Sequence, residues 1–261
     1  MLAKLMKYDI KKMMRVLLYL YVIALVLAGI TRFINIWSDI QAVFILGQVF
    51  AGITYSAIAS ILVNTFVHIL IVFISGFYRD ASYLTHTLPV NKSKLLLSKF
   101  LSSLLVILAS IVVCALSLII MFFSNEFFDG LRILIETIVA GFNMPIGLFL
   151  AFVFLLIFVQ ICSMMSMGFT AVVLGNKYNS KRVLKGLLWF ALFYFGATIL
   201  TVLVSVIIFA IGGNLAELGA TVLSQGAFTT LLIICTVAYA IYAVAFYLIC
   251  NKLFNKGVNV D

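Results

Sequence analysis

Charge is what this chain has least of. Of its 261 residues only 10% are charged, while 66% are hydrophobic. A soluble core of this size does not need so much apolar material. Several runs exceed the ~18 apolar residues that mark a membrane-crossing helix. Acids are scarcer than bases, 8 against 17, and there are two histidines and two prolines. The apolar runs hold no convincing set of acid, base or metal-binding groups, which disfavours an intramembrane enzyme. No GxxxxGK[ST] loop is present, so the chain has no phosphate cradle of that kind for ATP. HExxH and GxSxG are also missing. The four cysteines, Cys114, Cys162, Cys235 and Cys250, lie in or at the end of apolar runs without metal-site spacing. They read as small buried apolar residues. The sequence therefore predicts no enzyme, no bound cofactor and no metal.

What remains is an all-α integral membrane protein, a single domain over 1–261 with six transmembrane helices. The spans are expected at about 16–37, 42–77, 94–123, 145–174, 187–211 and 230–250. Residues 1–15 alternate Leu2, Leu5, Met6 and Met13 with Lys4, Lys7, Lys11, Lys12 and Arg15. That pattern suits an interfacial amphipathic helix, lysines against anionic headgroups. The apolar run after it is too long for a cleaved signal peptide and lacks a clear small-residue cleavage site, so it is expected to stay as the first span. The second run, within Gln41–Tyr78, is longer than a bilayer requires. It should tilt, kink near Gly47 or Gly52, or project into the cytoplasm.

The net charge of +9 reports orientation rather than a nucleic-acid partner, because the bases cluster in loops beside spans. On the expected inner side stand Lys4 to Arg15, Arg79, Lys92, Lys94, Lys99, Lys177, Lys181, Arg182, Lys185, Lys252 and Lys256. The outer side has only Arg32 and Arg132. The acids Asp39, Glu126, Asp129, Glu136 and Glu217 fall outside. Both termini are thus expected in the cytoplasm. Ser124–Val139 reads as an outer connection, and Gly212–Thr229 as an outer stretch able to hold a short helix dipping back.

The longest polar interruption is Phe77–Phe100, FYRDASYLTHTLPVNKSKLLLSKF. Asp80 can N-cap a short helix, and Leu84 and Leu88 share one of its faces. Pro89 biases Leu88 away from helix, and Asn91 can cap a new helix leading into the next span. Tyr83, Leu84, Leu88 and Val90 have no reason to face water. They suit headgroups or a groove of a partner protein.

This stretch resembles the first cytoplasmic loop of type-2 ABC transporter permeases, the membrane subunits of ATP-driven exporters. Tyr83, Leu84, Thr85, Thr87, Leu88, Pro89 and Val90 match the core, followed by Lys94, Leu96, Leu97, Ser98 and Lys99. Ser82 replaces a frequent glycine, and only Asp80 supplies the acidic lead. The resemblance implies the permease fold, a bacterial cytoplasmic membrane, and a complex of two permease subunits, identical or related. Two separate ABC ATPase subunits would hold ATP and Mg. Asp80, Tyr83, Leu84, Thr85, Thr87, Leu88 and Pro89 would then form the ATPase-coupling element. The second and fifth spans would form the translocation path.

Polar residues within those spans are few. Asn64 and His68 are four apart, with Thr54 and Thr65 near their side, and Thr198, Thr201 and Ser205 give the fifth span a mild polar stripe. Two readings stand: packing between helices, or the wall of a path. Ser163 to Met167 form a soft patch best read as core filling. A path so greasy and uncharged suits a hydrophobic or amphipathic substrate, a peptide, lipid or drug. Two other functions stay open. An ATPase-independent carrier would need an intramembrane carboxylate for a coupling ion. A membrane scaffold or immunity protein would move nothing.

Overall fold

The computed structural model describes residues 2–37, 40–78, 91–123, 125–142, 146–178, 181–212 and 225–255. They form seven α-helices: α1 (Leu2–Ile36), α2 (Gln41–Tyr78), α3 (Lys92–Met121), α4 (Asn125–Phe142), α5 (Ile146–Gly175), α6 (Arg182–Ile211) and α7 (Gln225–Asn255). All but α4 are long and apolar enough to cross a membrane, as the six apolar runs predict. The chain is by these helices a multi-pass membrane protein.

The helix bounds differ from the expected ones at informative places. No break separates the amphipathic start from the first span; Leu2–Ile36 is one helix. The second span is likewise continuous over 38 residues, a rise of about 57 Å. That exceeds a hydrocarbon core of ~30 Å, so part of α2 extends past it. No interruption of the helix occurs at Gly47 or Gly52. Gly47 serves a different purpose: a Cβ there would lie 2.5 Å from Asn35 Oδ1, so its absence makes room for the Asn35 side chain of α1. The fifth span begins at Arg182, five residues before the purely apolar run. Asn91 does cap α3, its side chain accepting from the Ser93 amide at 3.2 Å. Most of the predicted outer connection 124–139 is helix α4.

The helices fall into two compact units, Met1–Leu131 and Arg132–Asp261, the division lying within α4. In the first unit α1, α2 and α3 pack on one another. Leu17, Tyr21, Ala24, Ala28 and Thr31 of α1 are buried, at alternating spacings of four and three. Ser103, Ser110 and Ser117 of α3 are fully buried, each seven after the last. A seven-residue repeat keeps one seam facing its neighbours, and small residues on it let backbones come close. Hydroxyl pairs bridge the seam. Ser110 Oγ lies 2.6 Å from Tyr21 Oη and 2.9 Å from Thr65 Oγ1, joining all three helices. Thr31 and Thr54 pair at 2.8 Å between α1 and α2. Nearer the basic end, Lys99 of α3 is paired with Asp9 of α1. Its stem lies near Gly76 and its ammonium 6.0 Å from the Phe77 ring centre.

In the second unit α5 packs against α6 and α7, and these touch each other. Thr170 Oγ1 donates to Phe246 O at 2.9 Å, tying α5 to α7. The Phe193 and Phe246 rings meet at 4.8 Å between α6 and α7. The facing ends of α5 and α6 lie close together. Lys181 takes the left-handed conformation, φ 53°, and Lys185 Nζ lies 4.1 Å over the Tyr178 ring. A Cβ on Gly175 would stand 2.6 Å from Gly186 Cα and 2.9 Å from Arg182 O. Those are backbone atoms and cannot rotate away. Gly175→Ala is therefore expected to destabilise the second unit by about 1–3 kcal/mol through overpacking. Thermal unfolding in detergent checks this, with Gly196→Ala as control, since that Cβ would meet nothing within 4 Å.

Candidate functional site

The residues singled out from the sequence separate into three groups. Asp80, Tyr83, Leu84, Thr85, Thr87, Leu88 and Pro89 lie outside the described residues. Thr54, Asn64 and His68 belong to α2 in the first unit, and Thr198, Thr201 and Ser205 to α6 in the second.

In the first unit the α2 residues meet three environments. Thr54 is fully buried, bonded to Thr31 and donating to Phe50 O at 2.9 Å. It links helices. Asn64 is exposed on the surface of the unit. His68 is half-buried against the Met13 backbone of α1, with Lys12 nearby. Its Nε2 is buried and finds no partner among the described residues. A shared helix face thus does not give the two a shared surrounding: α1 covers His68 and leaves Asn64 open.

The second unit holds a cleft. Gln160, Ser163, Met164 and Met167 of α5, Tyr194, Ala197 and Thr198 of α6, and Tyr239 of α7 line about 50 Å³. The Ser163 side chain is turned inward, the residue 1% exposed, and its Oγ has no partner among the described residues. Ser166, one turn along, is equally buried and unpartnered. Thr198 spends its hydroxyl proton on Tyr194 O at 2.8 Å, leaving acceptor capacity at the cleft. A turn further along α6, Thr201 is buried, donates to Ala197 O at 2.8 Å, and lies 3.1 Å from Tyr242 Oη. Ser205 is buried and donates to Thr201 O at 2.9 Å. The α6 stripe expected from sequence is thus partly interhelical bonding at Thr201 and partly cleft lining at Thr198.

Chemically the cleft can accept a small neutral group that both donates and accepts hydrogen bonds. Among the described residues no carboxylate, ammonium or guanidinium lines it. The unpartnered Ser163 hydroxyl on this apolar helix carries a desolvation cost that such a group would relieve. The soft patch Ser163–Met167 is not only core filling, since Ser163, Met164 and Met167 face the cleft. Gln160, Tyr239 and Tyr242 escaped the sequence reading. Their signal was weak: single polar atoms on otherwise apolar helices, meaningful only once α5, α6 and α7 are packed. The buried serines of α3 were also passed over, although their repeat of seven was readable. Among the described residues no group of His, Cys, Asp or Glu could hold a metal ion. The cysteines are free, Cys114 and Cys250 buried, Cys162 and Cys235 partly so.

No protein-family description, curated protein or solved structure matches this chain.

Proposed function

We propose that the chain is the permease subunit of a type-2 ABC exporter in a bacterial cytoplasmic membrane, working as a dimer on two separate ATPase subunits. The observation that carries this reading is the Asp80–Lys99 pattern between the second and third apolar helices, with YLTHTLPV at its core. The six apolar helices and the one-sided distribution of Lys and Arg agree with it. The neutral cleft beside α5, α6 and α7 favours an amphipathic or hydrophobic cargo with uncharged hydrogen-bonding groups, such as a peptide or lipid. In this mechanism ATP closes the ATPase pair, the 80–89 segment transmits the movement to α2 and α3, and the apolar helices rearrange around the cargo. The chain itself performs no hydrolysis.

Purification from its native membrane tests the reading. The expected result is co-purification with a chain that carries a phosphate-binding loop, and ATP-dependent movement of cargo after reconstitution into liposomes. Movement driven by an ion gradient without any ATPase would make it a carrier. A chain that purifies alone and moves nothing would make it a scaffold.

A further inference from the structure

Helix α4 lies outside every candidate span, and its side chains are sorted by polarity. At 100° per residue Phe127, Phe128, Leu131, Leu134 and Ile135 occupy one arc of roughly 120°, as on an amphipathic helix. Asp129, Arg132, Glu136 and Thr137 fall on the other side, with Ile133 among them. Arg132 Nε donates to Glu136 Oε1 at 2.9 Å on the exposed surface, and that bond raises the guanidinium pKa above its ordinary value. The apolar arc has little protein cover: Leu134 is 55% exposed, and Phe128 and Leu131 are exposed as well.

Where α4 starts narrows what covers this arc. It begins four residues after the end of α3. Phe122 caps α3 with non-helical angles, φ −105° and ψ 17°, so the chain turns there. Aromatic rings then bind the turn to α4. Phe122 stacks on Phe127 at 5.0 Å, Phe123 meets Phe128 edge-on at 5.7 Å, and Tyr55 of α2 lies 6.1 Å from Phe122. Tyrosine, with its amphipathic ring, is enriched at the boundary between hydrocarbon and headgroups, and Tyr55 is the tyrosine of this cluster. The arc is therefore continuous with the exposed apolar surface at the end of α3, where Ile119, Ile120 and Phe123 are exposed. Lysine is absent from α4, and its charges are Glu126, Asp129, Arg132 and Glu136, so attraction to anionic lipid does not hold it. Apolar burial does.

We propose that α4 lies in the plane of the membrane interface, Phe128, Leu131, Leu134 and Ile135 in the acyl region and Asp129, Arg132 and Glu136 toward water. The charge pattern places it at the outer leaflet. This assignment is independent of what the chain transports.

The test uses the full chain in phosphatidylcholine vesicles, with Trp37 and Trp189 replaced by phenylalanine and single tryptophans placed as Leu131→Trp, Leu134→Trp, Asp129→Trp or Glu136→Trp. Lipids brominated near the headgroup are expected to quench the first two at least about twofold more than the last two, and aqueous acrylamide the reverse. Where the tryptophan-free parent does not fold, the same substitutions in the native background are read as difference spectra. Equal acrylamide quenching at all four positions would overturn the proposal, because α4 would then stand in water. Shielding of Leu131→Trp and Leu134→Trp from both quenchers would overturn it in favour of a protein partner.

Discussion

Leu84→Asp combined with Leu88→Asp is expected to abolish co-purification of the ATPase while leaving the six apolar helices inserted. Both leucines lie on one face of the short helix expected after Asp80. Burying one large apolar side chain is worth about 1.5–3 kcal/mol, and Tyr83, Leu84 and Leu88 together supply three such anchors. Association entropy subtracts from that sum, so losing two anchors and gaining two buried carboxylates removes more than the contact can spare. Lys92→Ala is expected to weaken it only slightly, since an exposed ion pair contributes about 0–1 kcal/mol. The double variant, extracted in detergent, is assayed for bound ATPase and for substrate-stimulated hydrolysis. Survival of both activities would remove this segment from coupling and, with it, the main support for the exporter reading.

The second large effect is expected at Asp9. Its partner Lys99 is 7% exposed, held between α1 and α3 and backed by Gly76 and Phe77. Asp9→Ala removes the anion that pairs with this buried ammonium among the described residues. Removing one partner of a buried pair costs about 3–5 kcal/mol. The Asp9 side chain is the more exposed of the two, 15% against 9%. Lys99→Met therefore costs less, because water can reach the remaining carboxylate. Replacing both, Asp9→Leu with Lys99→Met, is expected to recover most of the loss, as exchange of a buried pair for apolar groups usually does. Thermal unfolding of the purified protein gives the order: wild type and double variant high, Lys99→Met between, Asp9→Ala lowest. An unchanged midpoint for Asp9→Ala would show the pair to be idle.

These two sites differ in how they became visible. The Leu84 and Leu88 face follows from spacing along one short stretch. The Asp9–Lys99 pair joins residues 90 apart, and local pattern gives no hint of it. Asp9 read as one acid in a basic, interfacial start, and Lys99 as one of several loop-side lysines.

By itself the sequence determined the helical class, the number of apolar spans, and the Asn91 cap, while the first span runs on without a break from Leu2. Backbone groups in hydrocarbon must bond within their own helix, so length and hydropathy suffice for that much. It also carried the polarity of α4 in its residues, though read as acids and bases they suggested only an outer connection. The tertiary structure alone decided which polar residues serve as links and which line a cleft. Thr54 and Thr201 make hydroxyl pairs across helices, Thr198 and Ser163 line the cleft, and His68 is covered by α1 while Asn64 is not. The physical reason is that every serine or threonine in an apolar helix can bond its own turn. Its further partner depends on the neighbouring helix, and nothing local in the sequence specifies which helix that is.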